Sequence, residues 1–301
     1  MAYYLGIDGG GTKTRCLLAD ETTVLANAMA GGSNIVRLGE TQAREALHTV
    51  VHAVCATANI SPDQICAICI GAAGAARPEI ATKIRSILAE LTPTAAYIEV
   101  VGDTEIALEA AFGAGPGVIA IAGTGSIVYG RDPAGHIARA GGWGFAVSDE
   151  GSGHWIGRHA ISAILNARDQ GRETTLTALL LQAWKLTTID KLVQQANSTP
   201  PPDFPRLFPV VLHAADEGDS ISHDLLADAG ARLANLAAIV VRRLAPPAAA
   251  TSLAMTGSVF RQSAVVRQIF YNTLQTSFPG IDVRQDLVVP VEGALARAKR
   301  R

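Results

Sequence analysis

The sequence predicts an α/β protein of two domains. Three observations carry that expectation. Strand-like apolar runs alternate with helical periodicity up to residue 112, one glycine hairpin design occurs twice, and 301 residues are long for a single domain.

In chain order, residues 3–8 read as a strand and 14–19 as its hairpin partner, with GGGTK between them. Residues 40–58 place apolar side chains at helical spacing. Residues 65–71 read as a buried strand, 78–91 as a helix, 97–102 as a strand and 104–112 as a helix. GVIAIAGTGSIVYGRD at 117–132 then repeats the opening design, with Gly123-Thr124 in the part of Gly11-Thr12. The two units would join near Gly113–Gly117. The remainder reads as mostly helical, over 154–167, 175–184, 222–244 and 262–276, with a strand at 252–257. TPPPDFPRLFP at 199–209 cannot continue a helix and reads as an ordered loop or lid connector. The last residues look helical, and their basic tip suits a solvated helix C-terminus.

Composition narrows the function. Apolar residues make up 49% and charged residues 17%, enough for a large core and unlike a disordered chain. A net charge of −2 with both signs scattered argues against a nucleic-acid or membrane-surface footprint. Met1 is followed by AYYLGID without a basic, signal-type leader, and no apolar run reaches the roughly 18 residues of a membrane span. A soluble cytoplasmic protein is expected. Cys66 and Cys69 form a CxxC inside a strand-like segment, where side chains three apart point to opposite faces. Cys16 and Cys55 supply no second CxxC, so buried reduced thiols are expected rather than a metal or redox site.

The opening loop approaches a Walker P-loop and departs from it. That motif needs glycine directly before lysine and a helix after it, whereas Thr12 precedes Lys13 and a strand follows. In a hairpin, Gly10 and Gly11 let backbone N–H groups approach an anion closely, Thr12 adds a hydroxyl and Lys13 a charge. A glycine hairpin with no ligand is the alternative for this loop alone. The second loop, Gly123, Thr124, Gly125 and Ser126, shifts the balance toward two hairpins that clasp a polyphosphate. In MTGSVF, Gly257 and Ser258 end a strand and open a helix, where adenine or ribose could lie against the backbone.

In this order the three elements resemble the phosphate-1, phosphate-2 and adenosine motifs of the actin, hexokinase and Hsp70 superfamily. DGGGTKT, GGSN, GDTEIA, AGTGS, GGWGFAVSDEGSGHWIG and TGSVF are similar to the N-acetylglucosamine kinase branch of the BadF/BadG/BcrA/BcrD ATPase family. The resemblance implies two ribonuclease-H-like domains, 1–114 and 115–289, with helix 290–301 completing the first. It also implies ATP between the domains, Mg²⁺, and closure on substrate. A homodimer is compatible with it.

The resemblance also assigns roles. It places the catalytic base at Asp103, after the strand IEVVG, where a carboxylate can accept a sugar hydroxyl proton. A helix N-cap would equally suit Asp103. Asp8, beside the first hairpin, would help hold Mg²⁺, usually through water. Asn34 in GGSN could both donate to and accept from a sugar hydroxyl, or could simply be a turn residue. Gly141 and Gly142 would offer backbone amides, and Trp143 either covers the sugar ring or packs in the core. Asp149 would accept from two hydroxyls, although Asp149 and Glu150 also suit a helix start. His154, Trp155, Arg158 and His159 read as mainly structural. The implied activity is ATP-dependent phosphorylation of N-acetylglucosamine to the 6-phosphate. The alternatives are glucosamine as acceptor, or an ATPase that activates a dehydratase or reductase.

Overall fold

The computed structural model describes residues 2–244 and 251–301. The chain divides into two compact units, Met1–Gly115 with Val288–Arg301, and Pro116–Leu287.

In the first unit, β1 (Tyr3–Gly9), β2 (Lys13–Ala19) and β3 (Val24–Gly31) form an antiparallel meander. Short α1 (Ile35–Leu38) and α2 (Glu40–Ala58) follow. Then β4 (Ile65–Ala72), α3 (Pro78–Leu91), β5 (Tyr97–Gly102) and α4 (Asp103–Phe112) complete the run. The sheet order is β3-β2-β1-β4-β5, with β4 parallel to both β1 and β5. Leu5, Ile7, Leu18, Ile68 and Ile70 are fully buried, in one core with Leu47, Val50 and Val54 of α2 and Ile84, Ile87 and Leu88 of α3. Withdrawal of this apolar surface from water is the main stabilising term.

The second unit repeats the plan. β6 (Gly117–Ala122), β7 (Ser126–Arg131) and β8 (Ile137–Gly141) form its meander. Five helices follow: α5 (Gly153–Asp169), α6 (Leu176–Ala183), α7 (Ile189–Ala196), α8 (Phe208–Asp216) and α9 (Ser220–Leu244). β9 (Ser252–Thr256) joins β6 in parallel, α10 (Ser258–Gln262) and α11 (Ala264–Ser277) intervene, and β10 (Asp282–Leu287) joins β9. The order β10-β9-β6-β7-β8 is the first sheet's order, strand for strand. The repeated hairpin is thus one corner of a repeated α/β topology.

The last helix, α12 (Pro290–Lys299), belongs to the first unit. It lies against β1 and α4 at glycines: a Cβ at Gly6 would strike the Leu295 backbone, and one at Gly293 the α4 backbone at Ile106 and Ala110. Arg297 Nη2 reaches Glu99 Oε1 at 2.5 Å, an ion pair with little exposure.

Three strands carried no signal in the sequence: β3, β8 and β10. All three are sheet edges. An edge strand can leave much of itself in solvent, so alternation weakens: VLANAMAG and DVRQDL each have one buried residue. The segment 199–209 is the expected ordered loop up to Asp203. Its end forms a 3₁₀ turn, Phe204–Leu207, running into α8. Phe204, Leu207 and Phe208 are buried, and a Cβ at Gly157 of α5 would collide with the Phe204 carbonyl.

The CxxC thiols diverge: Cys69 is buried, whereas Cys66 is partly exposed and donates to the Gln64 carbonyl. Among the described residues no helix is long and apolar enough to cross a membrane.

Candidate functional site

In the first unit the site is built on the carboxyl ends of β1 and β5. The β1–β2 hairpin is closed by the Gly10 N–H donating to the Lys13 carbonyl at 3.0 Å. Thr12 and Lys13 stand exposed at its tip. Residues 31–34 lie across this hairpin. Ser33 N–H donates to the Gly10 carbonyl at 3.1 Å, and Thr14 Oγ1 donates to Ser33 Oγ at 2.8 Å. A Cβ at Gly32 would sit 2.6 Å from the Gly11 carbonyl oxygen, so only glycine allows the approach. Asn34 then caps α1, its Oδ1 accepting from Val36 N–H at 3.0 Å and Arg37 N–H at 3.2 Å. The expectation that the Asn34 amide both donates and accepts is therefore corrected. Two bonds occupy the acceptor oxygen, which leaves the Nδ2 hydrogens for a ligand.

Sequence reasoning missed Arg37. One helical turn after the cap, its guanidinium lies beside Gly11, with Nη1 3.4 Å from where a Cβ on that residue would be. No motif marks it; it is brought there by the fold of 31–38 over the hairpin.

Asp103 is the first residue of α4, directly after β5. Gly102, not Asp103, holds the N-cap position, and its N–H is met by Glu105 Oε1 at 3.2 Å. Asp103 Oδ1 accepts from Thr104 N–H at 3.0 Å. Burial raises the Asp103 carboxyl above the ordinary aspartate range. Asp8, at the end of β1, is pushed up to about 6, by burial first and then by the Asp103 charge, while Lys13 and Arg15 pull the other way. Two half-buried acids whose charges oppose each other favour a cation or a proton between them. Among the described residues no group of three or more His, Cys, Asp or Glu could hold a metal ion by itself.

In the second unit the β6–β7 hairpin is closed by Gly123 N–H donating to the Gly125 carbonyl at 2.9 Å. The N-terminus of α5 backs it: Gly153 N–H donates to the Gly123 carbonyl at 2.8 Å and His154 N–H to the Thr124 carbonyl at 3.1 Å. Ser126 Oγ donates to the Glu150 carbonyl at 2.8 Å. At the end of β9, Gly257 has φ +110°, and a Cβ there would collide with the Ala122 backbone. The following Ser258 places Oγ 4.0 Å from the Cβ position of Gly123, so AGTGS and TGSVF are neighbours.

The run after β8 depends on glycine. Gly141, Gly142 and Gly144 have φ of +73°, +70° and +100°, in the left-handed region. Trp143 between them is 71% exposed, which excludes the core-packing alternative, and the Arg139 guanidinium lies 3.9 Å from its ring centroid. Asp149 is buried at 8% exposure and itself left-handed, with φ +70°. Its Oδ1 accepts from Ser126 N–H at 3.3 Å, and its carboxylate lies where a Gly125 side chain would be. Burial raises its carboxyl as well. The helix-start alternative is corrected: Ser152 is the N-cap of α5, its side chain accepting from Trp155 N–H at 3.1 Å.

Paired α/β units of one topology, each with a glycine hairpin at the same corner, make the actin-like ATPase fold. The model of the BadF/BadG/BcrA/BcrD ATPase family matches residues 5–296, and the chain belongs to that family. It is 33% identical over 290 residues to the N-acetylmuramic acid/N-acetylglucosamine kinase of Clostridium acetobutylicum, covering 94% of each chain. It is 29% identical over 305 residues to the N-acetyl-D-glucosamine kinase of Dictyostelium discoideum, covering 97% of this chain and 96% of that one. A crystal structure from Chromobacterium violaceum, solved as a candidate N-acetylglucosamine kinase, superposes with a TM-score of 0.78 at 28% identity over 98% of both chains.

Proposed function

We propose that the chain is an ATP-dependent kinase that phosphorylates an amino sugar, N-acetylglucosamine first, on its 6-hydroxyl. The observation that carries this reading is the acid pair at the strand ends of the first unit. Asp103 is half-buried and close enough to Asp8 for their charges to oppose each other, and Asp8 adjoins a glycine hairpin whose tip residues Thr12 and Lys13 are exposed. In this reading Asp103 accepts the proton of the sugar hydroxyl as it attacks the γ-phosphorus. Asp8 holds Mg²⁺ through water, and Mg²⁺ supplies charge neutralisation on the phosphates. In the first unit Gly10, Gly11, Thr12 and Lys13 are phosphate-binding; in the second unit Gly123 to Ser126 are phosphate-binding, and Gly257 with Ser258 lines the adenosine. Sugar contacts are assigned to Asn34 in the first unit and to Gly141, Gly142, Trp143 and Asp149 in the second.

A coupled ADP-release assay over N-acetylglucosamine, glucosamine, glucose and N-acetylmannosamine tests the reading. It expects the highest kcat/KM with N-acetylglucosamine. ADP release that no sugar stimulates would overturn it.

A further inference from the structure

Three successive side chains of the short helix α1 fill three gaps left by glycines. Val36 lies against Gly74, in the loop after β4, where an added Cβ would stand 2.9 Å from Val36 Cγ2. Leu38 lies against Gly32, where the same distance to Leu38 Cδ1 is 2.7 Å. Arg37, between them in sequence, lies over Gly11, with Nη1 at 3.4 Å and Cδ at 3.6 Å from the Cβ position. Its backbone N–H donates to Asn34 Oδ1 at 3.2 Å, so the turn that carries the guanidinium is also fastened at its start. Arg37 itself is exposed. Its neighbours are wedged, its stem runs along a glycine hairpin, and its charged head meets solvent at a fixed place.

The groups along the first unit give that charge a use. Asp8 and Asp103 stand at the strand ends, and Gly11 is in the hairpin that follows Asp8. On the kinase reading above, a bond forms between the sugar oxygen and the terminal phosphorus. The bond from that phosphorus to the bridging oxygen breaks, its electron pair leaves with ADP, and the hydroxyl proton goes to Asp103. The phosphorus therefore lies within reach of Asp103, and the phosphate that the first hairpin meets is the terminal one. The hairpin backbone serves it thinly, because Gly10 N–H is spent on the Lys13 carbonyl. Lys13 adds a point charge, which also offsets the charge of Asp8. During transfer the phosphoryl group spreads its charge over three oxygens, and a planar fork of N–H donors matches those better than a second point charge.

We propose that the Arg37 guanidinium grips the transferred phosphoryl group, so that Arg37 is a further catalytic residue and the one that tells ATP from ADP. The proposal rests on the kinase reading and deepens it.

The test is calorimetric titration of wild type, Arg37→Ala and Arg37→Lys. ADP and the β,γ-imido analogue of ATP are titrated with Mg²⁺, and N-acetylglucosamine without nucleotide. In Arg37→Ala the analogue should bind about 10- to 100-fold more weakly, the scale of one hydrogen-bonded charge, while ADP and the sugar stay within about twofold. Arg37→Lys should fall between, keeping charge and losing the fork. A merely structural role in α1 would shift Asn34 and weaken the sugar as well. Unchanged analogue affinity, equal losses for analogue and ADP, or a sugar loss of the same size overturns the proposal. An Arg37→Ala variant without a melting transition overturns it too, since the residue would then serve the fold. Failure of every sugar to stimulate ADP release by wild type overturns the kinase reading, and the same titrations still decide whether Arg37 holds the third phosphate.

Discussion

The Asp149 carboxylate accepts a hydrogen bond from the Ser126 backbone N–H at 3.3 Å, across 23 residues of chain. It thereby pins the end of the second glycine hairpin to the segment that follows the glycine run. An acid assigned to the sugar thus also shapes a loop assigned to the nucleotide.

Two substitutions at Asp149 separate those roles. Asp149→Asn keeps an acceptor oxygen for Ser126 N–H and loses the charge. It should weaken sugar binding by about 1.5–3 kcal/mol, the worth of a charged hydrogen bond, and leave nucleotide affinity within about threefold. Asp149→Ala should weaken both. Calorimetric titration with each ligand measures the split, and unchanged sugar affinity in both variants would reduce Asp149 to a loop anchor.

Asp103→Asn keeps the size of the side chain and the acceptor for Thr104 N–H, and removes the base. A loss of about 10²–10⁴ in kcat is expected, with KM for ATP and sugar little changed. Rapid-quench measurement of the transfer step checks it; a variant above half the wild-type rate would rule out the base role.

Gly123 has no positive φ, and the nearest atom to an added Cβ is Ser258 Oγ at 4.0 Å. A side chain at this position meets no backbone strain, and the space is open. Gly123→Ala should melt within a few degrees of wild type, because nothing in the fold contests the methyl group. ATP affinity should nevertheless fall by about tenfold, since the methyl keeps phosphate from the hairpin amides. Equal ATP affinity in the folded variant would show a turn without a ligand.

The acid pair gives the ligand-free protein a pH signature. The Asp8 carboxyl stands at about 6 in the fold, against 3.8 in an unperturbed side chain. Between those values the folded state binds the extra proton, so stability falls as pH rises through that window. Asp8→Asn should therefore stabilise the protein at pH 7.5, by at most about 3 kcal/mol. The gain should fade as pH drops from about 6 toward 4, where wild type is protonated too. Differential scanning calorimetry of both proteins from pH 4.5 to 7.5 tests the sign, and a gain independent of pH would remove the charge explanation. The same variant should need more Mg²⁺ for half-maximal ATP turnover.

The sequence by itself determined the central strands and the larger helices. Leu5, Ile7, Ile68 and Ile70 sit in strands buried on both faces of a sheet, and such runs stay apolar whatever surrounds them. It also marked both hairpins, because only glycine lets a backbone come so close, and the acid at each strand end. Tertiary structure decided what depends on a distant partner. The edge strands β3, β8 and β10 are strands because a neighbour offers hydrogen bonds, not because their own pattern demands it. Arg37 reaches Gly11 only after residues 31–34 fold over the hairpin. Asn34 spends its oxygen on a cap, Trp143 stands in solvent, and Asp149 meets Ser126. Those outcomes turn on which polar atoms the fold brings within about 3 Å, and hydrogen bonds that short-ranged leave no trace in composition or periodicity.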